Sequence, residues 1–303
     1  MMTHVPVLAR EAIDALAIKP DGVYVDGTFG RGGHSGLILK QLSPAGKLIA
    51  MDRDPAAIEA GRQIDDPRLS LVRAPFSRMD EALDGLAAGK VDGILLDIGV
   101  SSPQLDEAER GFSFRMDGPL DMRMDPDAGL SAAEWLARVS EVELADVLYN
   151  YGDEKHSRRI ARAIVARRIE EPFTRTVELA DFIASVLPRS HDGIHPATRA
   201  FQAIRIAINS ELRAIERGMD AAHVLLAAQG RLVTISFHSL EDRLVKQFIA
   251  QHARAPQGSR RLPPTASAAL TLRDLGKQRA SDEEVAANPR SRSAVMRVAE
   301  RLA

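Results

Sequence analysis

The amino-acid sequence predicts an α/β domain with a parallel sheet, interrupted by an inserted all-helical domain. Three observations predict it. Apolar strands alternate with amphipathic helices over the first hundred residues, residues 107–209 carry helical periodicity with almost no strand character, and the strand pattern then resumes at Arg231. The expected division is 1–106 and 210–303 for the two parts of the α/β domain, with 107–209 as the insertion.

In chain order, strands are expected at 23–26, 47–51, 69–72 and 91–97, with helices at about 34–42, 55–63 and 77–88 between them. Pro55 suits the first position of a helix, where its missing amide proton costs nothing. The insertion shows helical patterns at about 131–137, 140–149, 154–169 and 176–187, and another starting near 197. The last part offers a strand over 231–237, a helix over 240–252, and strands near 268–272 and 294–299. Residues 253–264, rich in Arg, Pro, Gly and Ser, read as an exposed loop. In an open parallel sheet, ligands bind beyond the carboxyl ends of the strands.

With 303 residues, 45% of them hydrophobic and 27% charged, the composition is that of a water-soluble globular protein. No cysteine is present, which excludes a disulfide scaffold, a thiolate metal site and a catalytic thiol, and fits a reducing, cytoplasmic setting. Neither a secretory signal nor an apolar run of the ~20 residues needed to cross a bilayer is visible. The net charge of −2 argues against a protein that coats nucleic acid all over, so any such surface must be local.

The segment Asp26-Gly27-Thr28-Phe29-Gly30-Arg31-Gly32-Gly33-His34 follows the first strand directly. Glycines let a backbone approach a ligand where a side chain would collide, and the helix that follows offers unpaired amides. Asp52, at the end of the next strand, is placed to accept hydrogen bonds from two ribose hydroxyls. Together they point to an adenosine-containing cofactor, either NAD or S-adenosyl-L-methionine, although a tight strand-to-helix turn and a surface aspartate have the same pattern. The glycines do not form a clean G-x-G-x-x-G, and Asp26 suits a cationic amino group better than a pyrophosphate. Both features lean toward the methionine-bearing cofactor.

The fourth strand ends in Asp97-Ile98-Gly99-Val100-Ser101-Ser102-Pro103-Gln104-Leu105-Asp106. A base amine is a poor nucleophile because its lone pair is delocalised, so it needs acceptors that hold its protons and direct the nitrogen. Asp97 and the Ser hydroxyls offer them. A rigid turn closed by Pro103 explains the composition equally well.

Long motifs in one order now carry a resemblance. They are His4-Val5-Pro6-Val7-Leu8, Asp26 to Ser35, Asp97 to Asp106, Arg110-Gly111-Phe112-Ser113-Phe114, Pro119 to Asp125, His195 to Arg199 with Phe201-Gln202, Ser236 to Arg243, and Asn288 to Ser293. The chain resembles the MraW/RsmH family, bacterial enzymes that methylate the N4 atom of a cytidine in small-subunit (16S) ribosomal RNA. The resemblance implies a Rossmann-like class I S-adenosyl-L-methionine methyltransferase domain interrupted by a helical substrate-recognition domain. It implies that Gly32, Gly33 and His34 cradle the methionine part, Asp52 holds the ribose, Phe76 lines the adenine, and Asp97 and Gln104 make further cofactor contacts. It also implies 16S ribosomal RNA as partner, free or within a small ribosomal subunit particle, and a homodimer. The chain departs from the family between Arg254 and Val285, where Gly276-Lys277-Gln278-Arg279-Ala280 lacks the expected Lys-Pro pattern, and at Val295, where Lys is common. Those departures put the C-terminal RNA contacts in question and leave the cofactor residues untouched.

His238 is a candidate catalytic residue beside Asp97, able to orient the base or relay a proton; the alternative is a helix start capped by Ser239. Lys155, Arg158, Arg159 and Arg162 are candidate RNA-phosphate contacts on one helix, or a solvated face. His195 and His4 have no partners at ligand spacing, so no metal is expected. Trp135, Phe112 and Phe114 suit a core, with Phe114 a minor candidate for base stacking. Two other function classes remain open on residues alone. An NAD-linked oxidoreductase shares the glycine loop and Asp52 but should bring a proton-relay pair, and a noncatalytic RNA-binding assembly factor keeps the fold without the chemistry.

Overall fold

The computed structural model describes residues 6–86, 89–187, 195–255 and 269–303. His4 and most of the expected loop at 253–264 lie outside them. The elements run α1 Ala9–Leu16, β1 Val23–Asp26, α2 Gly33–Gln41, β2 Lys47–Asp52, α3 Pro55–Gly61, β3 Leu69–Arg73, α4 Met79–Gly85, β4 Val91–Asp97, α5 Ser102–Asp106, α6 Ala132–Arg138, α7 Glu141–Gly152, α8 Ser157–Arg167, α9 Thr176–Val186, α10 Thr198–Asn209, α11 Glu211–Leu225, β5 Leu226–Ser236, α12 Ser239–Ala253, β6 Leu272–Arg279, α13 Asp282–Ala287 and β7 Val295–Arg301. They group into two compact units, residues 1–99 with 212–303, and residues 100–211.

The first unit is built on a seven-stranded sheet ordered β3-β2-β1-β4-β5-β7-β6. Neighbouring strands from β3 to β5 are parallel, and β7 runs antiparallel between β5 and β6. Side chains on a strand alternate between its two faces, and both faces here are covered. Val25, Ile94, Leu96 and Leu232 pack toward Met79 and Leu83 of α4, Ile215 and Met219 of α11, and Val245 and Ile249 of α12. Tyr24, Leu95, Val233 and Met296 point the other way, toward Ile13 and Leu16 of α1 and Ile38 and Leu39 of α2. Because the order reverses between β1 and β4, their carboxyl ends flank the crevice where this topology binds ligands.

Helices α1 and α13 fall where none was expected, and three further elements of this unit differ from expectation. The strand expected near 268–272 is instead β6, with residue 268 outside the described residues and only Leu272 shared. Seven of its eight residues are exposed, so it has no hydrophobic alternation to reveal it, and its pairing with β7 alone makes it a strand. β5 starts at Leu226, five residues before the apolar run, with a register shift between the Val91 and Gly93 pairings. Helix α11 has an apolar stripe of Leu212, Ile215, Met219 and Ala222, and covers a region for which no helix was expected.

The second unit is helical, apart from an isolated bridge between Pro119 and Arg175. Ser131 and Glu134 close a capping box that starts α6, and Ser140 caps α7. Leu136, Leu144, Leu148, Ile160, Ile183 and Ile204 form its core. Helix α8 is shorter than the expected 154–169, so Lys155 lies in the turn before it. Asn209, 3% exposed at the end of α10, staples the loop ahead of α6: its Oδ1 accepts from the Met124 amide at 2.8 Å and its Nδ2 donates to Met122 O at 2.8 Å. Met122 is held at φ +62°, a costly conformation that this bonding sustains. Asn209→Ala strands both backbone groups inside the fold, and the expected loss is about 2–4 kcal/mol in urea denaturation; an unchanged midpoint would show that the staple is not needed.

Candidate functional site

The site forms where β1, β2 and β4 end. Gly27 must be glycine: a Cβ there meets Leu96 Cδ2 at 2.4 Å and Phe76 Cβ at 3.0 Å. The chain then turns through Gly30 at φ +55° and Gly32 at φ +76° into α2. Asp52 holds this loop from β2, its Oδ2 accepting from the Gly30 amide at 2.8 Å and its Oδ1 from the Asp54 amide at 2.9 Å. Thr28 ties the loop to β4, its Oγ1 accepting from the Asp97 amide at 2.7 Å. The Gly32 amide is committed to Phe29 O, so Gly32 acts through its conformation. The amides that open the first turn of α2, at Gly33 and His34, have no intrahelical carbonyl to bond.

Acidic groups dominate the pocket walls. Asp26 is 1% exposed and accepts from Ser35 Oγ at 2.6 Å and from the Thr28 amide at 3.1 Å, while burial raises its pKa. Asp97 Oδ1 is fully enclosed and has no hydrogen-bond partner among the described residues. Burial, with the charges of Asp26 and Glu241 added, pushes the Asp97 carboxyl up to about 8. Asp52, which burial also affects most, is pushed up to about 6. His34 faces Asp97 with Nδ1 3.7 Å from Oδ2, beyond hydrogen-bond range, while its Nε2 donates to Val7 O at 3.1 Å. Burial lowers His34 to about 4, so the ring is neutral and its Nδ1 lone pair points at Asp97.

His238 has a different setting from the one expected. It, not Ser239, is the cap of α12: its Nδ1 lies 3.5 Å from the Glu241 amide, and its Nε2 lies 2.9 Å from Glu241 Oε1 but off the hydrogen-bond axis. Glu241 is fully buried, and its Oε2 accepts from the amides of Phe237 and His238 at 2.8 and 3.1 Å. Phe76, in a short 3-10 turn after β3, lies against Gly218 of α11; a Cβ on that glycine meets its Cδ2 at 2.4 Å.

The structure therefore brings Gly32, Gly33, His34, Asp52, Phe76, Asp97 and His238 into one unit. Thr28, Ser35, Gly218 and Glu241 complete their surroundings: Thr28 and Gly218 act through contacts with distant parts of the chain, which spacing does not signal, and Ser35 and Glu241 through nearby ones. Gln104 belongs to the helical unit, buried in α5, where its Oε1 accepts from the Ser101 amide at 3.0 Å. Lys155, Arg158, Arg159 and Arg162 are all exposed on that unit, with Arg162 3.6 Å from Glu141. The rest of the basic run is structural. Arg167 stacks over Phe173 at 4.3 Å, and Arg168 donates to Val139 O at 2.7 Å. Phe114 packs on Phe201 and His195, each ring centroid 4.7 Å away, inside the helical core.

Known proteins resemble the chain along its whole length. The model of the MraW methylase family matches residues 1–302. Ribosomal RNA small subunit methyltransferase H of Thiobacillus denitrificans is 58% identical over 303 residues, covering 99% of this chain and 97% of its own. The protein of that name from Xanthomonas axonopodis pv. citri is 57% identical over 302 residues, covering 99% and 87%.

The raised Asp97 has a consequence for folding. An unfolded carboxyl titrates near 3.8 and the native one at about 8, so the fold keeps Asp97 neutral where the unfolded chain ionises it, and this group's contribution to stability falls as pH rises between those values. Asp97→Asn cannot ionise, so its advantage in urea midpoint over the wild type should grow from pH 5 to pH 8.5. A margin that stays flat across that range would mean that Asp97 titrates normally.

Proposed function

Because the chain belongs to the MraW methylase family, we propose that it methylates the N4 amine of a cytidine in small-subunit (16S) ribosomal RNA with S-adenosyl-L-methionine. One observation carries this reading: buried Asp26 and Glu241 lie near the partly exposed Asp97, and one oxygen each of Asp97 and Glu241 has no hydrogen-bond partner among the described residues. Such a cluster is costly until a cation joins it. The cofactor is cationic at both its ammonium and its sulfonium, and the residues present fit it.

In this reading Asp26 faces the ammonium, the Gly33 and His34 amides meet the carboxylate, Asp52 takes the ribose hydroxyls on its remaining lone pairs, and Phe76 lines the adenine. Bound S-adenosyl-L-methionine supplies an electrophilic methyl on a cationic sulfur. Asp97 accepts a hydrogen bond from the target amine, lets its nitrogen pyramidalise and fixes its direction; positioning of this kind supplies much of the rate of an in-line transfer. Neutral His34 limits where the Asp97 carboxyl can point. His238, through Glu241, holds the start of α12 at the pocket rim. Gln104 shapes the loop after β4, and Lys155, Arg158, Arg159 and Arg162 contact RNA phosphates. The target base has to be unpaired or flipped out to reach the methyl. A small-subunit particle as substrate, a cytoplasmic location and pairing of two copies complete the proposal. Among the described residues, no helix is long and apolar enough to cross a membrane.

Asp52→Ala should weaken S-adenosyl-L-methionine binding in calorimetry by about tenfold or more, since it removes charge-assisted hydrogen bonds. Asp97→Asn should lower tritiated methyl transfer to 16S ribosomal RNA by about two orders of magnitude. Mass spectrometry of the digested RNA should show N4-methylcytidine; methyl on any other atom would overturn the substrate assignment. Neutralising Lys155, Arg158, Arg159 and Arg162 together should reduce the salt slope of RNA binding by about 3, and an unchanged slope would leave α8 an ordinary solvated helix.

A further inference from the structure

The segment that departs from the family pattern forms β6, at the edge of the sheet. Register places it relative to the reaction centre: Asp97 pairs with Ile235, Ile235 with Met296, and Met296 with Gln278. Gln278 thus sits level with Asp97, three strand spacings away, or about 14 Å. Lys277 and Arg279 flank Gln278, and both are exposed. Lys277 pairs with Arg297 across the β6–β7 ladder, which puts both on the α12 side of the sheet.

On that side the positive charge is in excess. Asp242 of α12 is taken up by Arg297, with Nε–Oδ1 2.6 Å and Nη2–Oδ2 3.0 Å. That hydrogen bond holds Asp242 below the ordinary carboxylate range, and the nearby charges of Lys277 and Lys246 add to it. Once this acid is matched by Arg297, Lys246, Lys277 and Arg279 remain, all exposed and with no ion pair of their own among the described residues. Arg292, also exposed, precedes β7 by three residues at the same sheet edge. Asp282, Glu283 and Glu284 open α13 just after Arg279 and offset part of this charge.

We propose that Lys246, Lys277, Arg279 and Arg292 form a phosphate-binding surface that grips the RNA backbone beside the target nucleotide. It rests on the methyltransferase reading, since it lies at the carboxyl edge where the base must enter and continues outward along the sheet from Asp97. Exposed cations on an edge strand also guard against strand-to-strand association, and the experiment separates the two roles.

The test measures binding of a fluorescent 16S ribosomal RNA fragment to the full chain across a salt series, with S-adenosyl-L-methionine affinity measured in parallel. Lys277→Gln with Arg279→Gln should weaken RNA binding about tenfold at low salt and lower the salt slope by about 1.5, at 0.7–0.9 per cation lost. Cofactor affinity should not change. An unchanged slope with intact wild-type binding removes this surface alone, as does a variant whose sole change is self-association. A wild type that binds cofactor but no RNA removes both the surface and the proposed substrate.

Discussion

Enclosing several carboxylates at one end of a parallel sheet is the constraint around which the rest of the molecule is arranged. Asp26 and Asp97 end adjacent strands, and Glu241 opens the helix after the next strand, so the topology itself draws the three together. Each is separately satisfied as far as the chain allows. Ser35 and the Thr28 amide serve Asp26, and the Phe237 and His238 amides serve Glu241. Asp97 receives least, and among the described residues both its Oδ1 and Glu241 Oε1 are left without a hydrogen-bond partner. A buried acid oxygen without a partner is destabilising, which makes this strand end the least satisfied part of the sheet.

The loop that shapes this pocket is fixed from two sides. Asp52 draws in Gly30 from β2, and Thr28 bridges to the Asp97 amide on β4. Asp52 therefore sets the backbone conformation at Gly30, and Thr28 couples the same loop to the backbone of Asp97. Substitutions at Asp52 or Thr28 act on more than one strand end for this reason. Phe76 is similarly wedged, between Gly27 and Gly218, so its position depends on a glycine in α11 far along the chain.

Much of this was legible before the structure. The first four strands and the helices between them follow hydrophobic alternation, and the glycine loop and Asp52 announce themselves by composition and place. Elements lacking such signals were not legible. β6 is exposed along almost its whole length and is held by its neighbour, while α11 starts directly after α10, from which a single left-handed residue, Ser210, divides it. A Ser239 cap was the alternative to a catalytic His238; the structure makes His238 itself the cap of α12, because Glu241 folds back onto it. The basic run likewise divides only in three dimensions, where Arg167 and Arg168 turn inward to aromatic rings and carbonyls and four others stay in water.

The sequence by itself determined the layered α/β class, the helical segment within it and the glycine loop with Asp52 that ends the next strand, since these depend on local periodicity and on motifs contiguous in the chain. Tertiary structure alone decided the ionisation of Asp97, the tautomer and target of His34, the glycine requirement at 218 and the alignment of β6 with the reacting strand end. Each of these depends on the distance between groups far apart in sequence, and burial and Coulomb interaction act through that distance, which no linear pattern encodes.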